Sequence, residues 1–541
     1  QGDQAWPVWR DELFLELHRG CATSRPDQKR HNRSLERLLR EADACGALLR
    51  AHGDCHEPAD WRPLLFHQFH DILPGTSIPE VFEQAEPVWR SARRRAKAQR
   101  DALIRRLLSP DQRVSAGQAD HWAWIGLQPL ASWSPLLRLP FGRWSVGAQC
   151  LVQQPAFGGG VWVQLPRRHG MASVALHRNA GEAEGHASVR GAVNVVDLGQ
   201  GIWRIGNGLV EGDLSSVGLL QLRDGQGRDQ LAEPLQFRRF RDRDQFWDAW
   251  DLAADYRTHP LDLESEGSLQ WLERGPLVAH AVLRFRAGLS RIRLDLRLRA
   301  DCRWLELIAS IDWQQTHELL RLDLPLAASA VRFAADTSGG VLERPARACS
   351  DRERARWEVP TISWLASQVS APGGGLAVLL DGPQGVDGEP DRMGISLLRG
   401  PTWPEPSADH GSHRLRFALM PLSDDWSRSG VPQAAIAFRE PGWWGSVEVN
   451  CRQTLLPALP ETIVPISIHG HPEGVLLRVI NPGASRCIWE PGSGWTVRRV
   501  ESSQALATVM LAPGELIELI VCQSSWSSNG SSNPFEGGPK A

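Results

Sequence analysis

The chain has 541 residues, 42% of them hydrophobic, with 60 basic against 63 acidic side chains and a net charge of −3. That length exceeds a single ordinary core and calls for about three or four domains. No apolar run approaches the ~20 residues that cross a bilayer, and the balanced charge argues against a nucleic-acid surface, so neither membrane nor nucleic acid is an expected partner.

Nine cysteines are scattered with no C-x-x-C pair, which argues against a disulfide framework or a thiolate zinc site and favours a reducing, cytoplasmic setting. Nearly all positive charge is Arg, Lys occurs only at Lys29, Lys97 and Lys540, and the sole tyrosine is Tyr256. The chain opens on Gln1 without a leader-like segment.

Residues 1–32 read as a loop and short apolar segment with Trp6, Trp9 and embedded charges. From Arg33 to about Ala51, Leu35, Leu38, Leu39, Ala42, Cys45, Leu48 and Leu49 recur at three and four, the stripe of an amphipathic helix. A second helix is expected from about Pro58 to Leu73, stopped by Pro74 and Gly75. A third starts near Ser77, with Ser77 as cap and Pro79 in the first turn, and runs to Leu108 with a kink at Pro87. These make a three-helix bundle. Within the third helix, Arg90, Arg93, Arg94, Arg95 and Lys97 read as a solvated face.

After Ser109 the pattern turns to short strands such as Val161–Leu165, Leu277–Leu283 and Ile292–Leu298, separated by Gly, Asp and Pro turns. The expected fold is therefore multidomain α+β, with the helices followed by large antiparallel β-sandwich domains. The expected divisions are 1–32, a helical 33–108, a linking β region 109–195, a large sandwich 196–435, a C-terminal β domain 436–522 and a disordered tail 523–541 rich in Ser, Asn and Gly.

Two segments carry candidate chemistry. In Phe66–Ser77, His67 and His70 would share a helical face with Asp71 beside them. A neutral imidazole is a good zinc ligand, and a neighbouring carboxylate can orient it or meet a sugar hydroxyl. In Trp9–Ser24, Glu12 and Glu16 lie four apart among Trp, Phe and Leu, an apolar setting of the kind that shifts proton affinity in general acids. Structural hydrogen bonding and surface ion pairing are the plain alternatives for both. The same holds for His52, Asp54 and His56 in a helix-end turn, and for His410 and His413 in a loop. Trp247 and Trp250 could stack on sugar rings, although a buried core is the commoner fate of Trp.

These segments resemble glycoside hydrolase family 38 α-mannosidases. The match includes Glu12-Leu13-Phe14-Leu15-Glu16, His18-Arg19-Gly20, Thr23-Ser24, Lys29, Asn32-Arg33 and Gln68 to Ile78. It continues through Phe246-Trp247-Asp248-Ala249-Trp250-Asp251, Ile311-Asp312-Trp313, His317, Leu319-Leu320-Arg321, Trp357-Glu358-Val359-Pro360, Leu397-Leu398-Arg399 and Asp409 to His413. The resemblance implies a retaining α-mannosidase acting on mannose-containing oligosaccharide through one divalent metal, zinc in most members.

On that reading His70 is a metal ligand, Asp71 meets substrate, and the acid carboxylate is Glu12 or Glu16, while Trp247 stays a candidate substrate contact on its stacking chemistry alone. Residues 1–32 become the end of a (β/α) catalytic barrel. The remaining ligands and the nucleophile fall to an N-terminal barrel that is missing or separately encoded. The departures are His67 in place of Asn and Cys21-Ala22 in place of Thr-Tyr. The other reading is a non-catalytic carbohydrate-binding or scaffolding remnant.

Overall fold

The computed structural model describes residues 8, 12–14, 16–109, 120–179, 188–243, 246–370, 374–447, 454–523 and 526. Trp6, Trp9 and the rest of 1–7, 9–11 and 15 in the segment assigned to a barrel end lie outside the described residues, as does nearly all of the tail after 523. The described chain is mostly β, with few helices. Among the described residues no helix is long and apolar enough to cross a membrane.

Helix α1 spans Pro26–Ala51. It starts ahead of Arg33 because its first turns bury polar side chains, among them Gln28, Lys29 and Asn32, which leave no apolar periodicity to read. Pro26 suits the first turn and Asp27 faces the helix dipole. From Leu35 onward the expected stripe is buried.

Helix α2 covers only Arg62–His67, shorter than the expected 58–73. The chain then leaves the helical path in turns closed by Ile72 N–H to Phe69 O (3.0 Å) and Thr76 N–H to Asp71 O (3.1 Å). Helix α3 spans Pro79–Leu108 with Pro79 in its first turn and Pro87 inside it. Its cap position is Ile78 rather than Ser77, and the Ser77 hydroxyl donates to Asp71 O instead (3.0 Å). Phe82, Ala85, Trp89, Ala92 and Ala96 are buried on α3, while Arg90, Arg94, Arg95 and Lys97 are exposed. Leu35, Leu38 and Leu39 of α1 join Trp89, Ala92 and Ala96 of α3 in one core, with Leu64 of α2 beside them.

The sheets are antiparallel throughout. The widest runs in the order 264–265, 278–287, 290–299, 305–313, 411–421, 376–381, 364–369, 330–337 and 340–345, with 270–274 beside 278–287. A second sheet carries 236–241, 318–325, 392–398 and 385–389. Alternating inward side chains of the two, including Leu294, Leu296, Leu307 and Phe417 from the first and Leu320, Leu322 and Ile395 from the second, fill one shared core. His413, expected in a loop, lies on strand Gly411–Pro421.

A third sheet joins distant stretches of chain. Strand His121–Gly126 pairs with Met171–Asn179 on one side and with Trp443–Ser446 on the other. Strand Thr454–Leu456 also pairs with 171–179. The C-terminal sheet of 464–471, 474–480, 516–523 and 495–499 packs Ile468, Val475 and Leu477 against Cys45, Leu48 and Leu49 of α1.

Candidate functional site

The family-like motifs, distant in sequence, meet at one junction between the start of α1, the turn after α2 and the large sandwich. Arg19 donates from its backbone N–H to Asp251 Oδ1 (3.3 Å) and from Nη1 to Asp251 Oδ2 (2.7 Å). Its Nε donates to Ala355 O (2.8 Å), and the guanidinium lies 3.5 Å from the ring centre of Trp357. Ser24 Oγ donates to Ala249 O (2.8 Å). Arg399, fully buried, donates to Asp242 Oδ2 (2.8 Å), Ser24 Oγ (3.1 Å) and the carbonyl of Asp251.

Asp409 organises the other side. Its Oδ1 accepts from the backbone N–H of Arg25 (2.8 Å), and its Oδ2 accepts from those of Arg399 and Gly400 (2.9 Å each). Lys29 donates to Pro74 O (2.7 Å) and to Ser24 O. Burial pulls its amine down to about 8. Gly75 has φ +85°, and a Cβ there would lie 2.8 Å from both Arg25 Cγ and Ser24 O. The 69–76 turn is thereby clamped to the 19–29 segment.

His70 and Asp71 stand on that clamped turn. The His70 side chain is 78% exposed, with Nε2 3.4 Å from Asp71 Oδ2, and its ring centre is 4.1 Å from that of Phe69. Asp71 Oδ1 accepts from Thr76 Oγ1 (2.8 Å). His67 points the other way: it is buried, with Nδ1 2.6 Å from Pro63 O and its ring centre 4.5 Å from Trp89. The expected shared face of His67 and His70 is absent because α2 ends at His67. Among the described residues no group of three or more His, Cys, Asp or Glu could hold a metal ion. His70 and Asp71 offer at most two donors, so the described residues do not by themselves fit a zinc site.

Glu12 and Glu16 do not share a helix; the described residues around them are irregular and turn. Both Glu12 oxygens accept from Arg344, from Nε at 2.9 Å and from Nη2 at 2.6 Å. Arg356 Nη1 is 3.6 Å away. Glu16 is exposed. His52 Nδ1 lies 2.6 Å from Leu48 O, Asp54 pairs with Arg106, and His413 Nε2 lies 2.7 Å from Asp409 O.

Trp247 is 55% exposed in a left-handed backbone conformation, φ 64°. It meets Trp250 edge to face at 5.9 Å, and Trp403, 53% exposed, lies 5.2 Å from Trp250. Asp248 Oδ2 fixes the opposing loop by accepting from the N–H groups of Thr402 (2.6 Å) and Trp403 (3.3 Å). His317 Nε2 is 3.0 Å from Thr402 Oγ1, and its Nδ1 is 3.5 Å from Asp248 Oδ1. Sequence reasoning missed Trp403, and the available signal was a Trp-Pro pair in a loop.

Sequence reasoning also missed a cavity of 680 Å³ lined by Phe333, Arg344, Arg356, Trp357, Asp387 and Glu389 among others. Asp387 pairs with fully buried Arg321, which also donates to Glu358 Oε2 (2.7 Å). Burial raises Asp387, but Arg321, Arg392 and Arg257 outweigh it and hold the carboxyl far below its usual range. Burial keeps Glu358 above its usual range despite Arg321.

The paired helices, the broad antiparallel sheets and the clamped turn bring the family-like motifs together, and comparison with known proteins gives the family. The pattern described as the glycosyl hydrolases family 38 C-terminal domain matches residues 205–407. That of the alpha mannosidase middle domain matches residues 16–107. Alpha-mannosidase 2C1 of Homo sapiens is 28% identical over 450 residues, covering 80% of this chain and 41% of that protein. Alpha-mannosidase G of Dictyostelium discoideum is 24% identical over 465 residues, covering 76% of this chain and 41% of its own length. The fold is similar to an alpha-mannosidase from Enterococcus faecalis V583, with TM-score 0.71 and 14% identity over 93% of this chain and 68% of that one. The chain belongs to glycosyl hydrolase family 38. It spans about two fifths of the length of the curated relatives it matches.

Proposed function

We propose that this chain forms one wall of an α-mannosidase active site and takes part in retaining, metal-dependent hydrolysis of α-mannosidic bonds in oligosaccharides or glycans. The observation that carries this reading is the exposed His70–Asp71 pair, held on a turn that Lys29 clamps to the family-like segment 19–29.

A retaining glycosidase uses two carboxylates about 5–5.5 Å apart, one as nucleophile and one as acid and then base. A general acid must reach the glycosidic oxygen within hydrogen-bond distance. Glu12 has both oxygens taken up by Arg344, so of the two sequence candidates Glu16 carries the acid role on this reading. Asp71 meets a sugar hydroxyl, and Trp247 stacks on a ring face. The nucleophile and the remaining donors for the divalent metal, zinc on the family's pattern, come from a catalytic barrel outside this chain, upstream or separately encoded. His70 supplies one donor, and the described residues leave the ligand set of the metal incomplete.

Hydrolysis of an aryl α-mannoside, with and without added zinc, tests this. The 541 residues alone are expected to be inactive and to gain activity with a barrel partner. In that assembly His70→Ala should lose bound zinc and Glu16→Gln should lose turnover. Robust hydrolysis by this chain alone would overturn the shared site, and unchanged zinc content in His70→Ala would remove His70 from it.

The exposed Trp247 and Trp403 favour a second reading, a carbohydrate-binding remnant without catalysis. Mannoside binding with no turnover even beside the barrel decides for that reading.

A further inference from the structure

A second pair of imidazoles lies on the sheet that joins residues 121–179 to the C-terminal strands. His121 and His177 sit directly opposite each other on antiparallel strands. The N–H of Arg178 donates to Asp120 O (2.7 Å), which makes 120 and 178 a hydrogen-bonded pair. Residues 121 and 177 then form the adjoining non-hydrogen-bonded pair, where side chains approach most closely. Their Nδ1 atoms are 3.1 Å apart, and the rings meet edge to face with centres 5.0 Å apart.

Both backbones are held from the outer side as well. Val447 N–H donates to His121 O (3.1 Å), and His177 pairs with Ser145 on strand 143–146. The two rings are thus presented by strands paired on both edges, which preorganises them. Both are half-buried and still reached by solvent.

Two ring nitrogens each about 2.0–2.1 Å from one metal ion stand roughly 2.8 Å apart at a right angle and roughly 3.4 Å apart at the tetrahedral angle. The observed spacing falls between these limits. We propose that His121 and His177 form a two-histidine site for a divalent transition-metal ion of the Ni²⁺ or Cu²⁺ type, bound through both Nδ1 atoms with water completing its shell. Imidazole nitrogen suits these ions.

In the metal-free pair, one Nδ1–H donates to the other Nδ1. The ion takes the place of that shared proton, which moves to the Nε2 of the same ring, so two metal–nitrogen bonds form with no net proton release. Burial and the neighbouring His121 hold His177 below its ordinary range, which keeps the neutral, ligating form available. No third His, Cys, Asp or Glu joins the pair among the described residues. The site is therefore open and independent of His70.

The test is Ni²⁺ titration of the complete chain, read by calorimetry and by the thermal unfolding midpoint. The unmodified chain should take up one ion more than either His121→Gln or His177→Gln. Its midpoint should rise with Ni²⁺, as binding to the folded state requires. Both variants should lose that ion and that rise, and His70→Ala should keep them. Equal uptake and equal midpoint shifts in the unmodified chain and both glutamine variants overturn the site, as does loss in His70→Ala alone. Should a variant fail to fold, the imidazole ¹⁵N signals of the unmodified chain decide. Selective broadening of His121 and His177 by Ni²⁺ supports the site, and unaffected signals overturn it.

Discussion

The guanidinium of Arg399 lies where a side chain at Gly20 would begin. A Cβ on Gly20 would stand 2.9 Å from Arg399 Cζ and 3.0 Å from the carbonyl oxygen of Asp251. The Arg cannot step aside, because Asp242, Ser24 and the carbonyl of Asp251 hold it from several directions. Glycine is needed here for close approach.

Gly20→Ala should therefore destabilise the folded chain by about 1–3 kcal/mol, the usual range for overpacking a filled site. Chemical denaturation with an unchanged slope and a lowered midpoint is the expected result. A midpoint equal to that of the unmodified chain would show that the junction yields.

Arg19 and Asp251 form a buried ion pair at 2.7 Å. Asp251→Ala leaves a buried cation without its carboxylate and should cost about 3–5 kcal/mol. Adding Arg19→Ala should recover part of that loss, a coupling that a double-mutant cycle measures. Additive effects would show that the two residues act separately.

His280 lies buried between Asp295 (Nε2 to Oδ1, 2.7 Å) and Glu273 (Nδ1 to Oε2, 3.6 Å). Arg293 faces Asp295, Arg297 lies close by, and Trp162 Nε1 donates to Glu273 (2.7 Å). Burial lowers His280, but its two carboxylate partners outweigh that and raise it. Burial likewise opposes the charged carboxylates, yet the hydrogen bonds from His280 and its neighbours bring Asp295 to about 2 and hold Glu273 below its usual range. A raised base stabilises fully below its unfolded value and stops doing so as pH rises through its folded one. Lowered acids stabilise above their unfolded values and cease to as pH falls. The stability lead of the unmodified chain over His280→Gln should be greatest near pH ~5–6 and shrink toward pH ~8. Urea midpoints across that range check it, and a constant lead would disprove it.

Lys29 has the opposite sense. Its folded value of about 8 lies below the ordinary 10.5, so between these values the unfolded chain binds more protons and stability rises with pH. Relative to Lys29→Met, the unmodified chain should gain stability as pH goes from about 8 to 10. A flat difference over that interval would show that the buried amine does not titrate there.

The α1 stripe and the run of antiparallel strands were legible because apolar periodicity reports which face is dry. The first turns of α1 were not, since Gln28, Lys29 and Asn32 are buried through polar contacts that leave no hydrophobic signature. The short α2 escaped for a related reason. Asp71, Thr76 and Ser77 satisfy backbone and side-chain groups in a turn, so the apolar residues around them do not mark a longer helix. His70 and Asp71 could be named from local pattern, yet their clamp could not, because Arg25–Asp409 and Lys29–Pro74 join residues far apart in sequence. The same holds for Asp248, whose partners Thr402 and Trp403 arrive from a distant loop.

Strand 121–126 has a further consequence for how the chain is made. Its outer neighbour, 443–446, is synthesised only after the whole large sandwich. Until then the nascent chain carries an open β-edge with buried-type residues such as Ala123 and Ile125 unprotected. A chain ending before Trp443 should thus be released as an aggregation-prone species, and closing that edge is a late event on the ribosome.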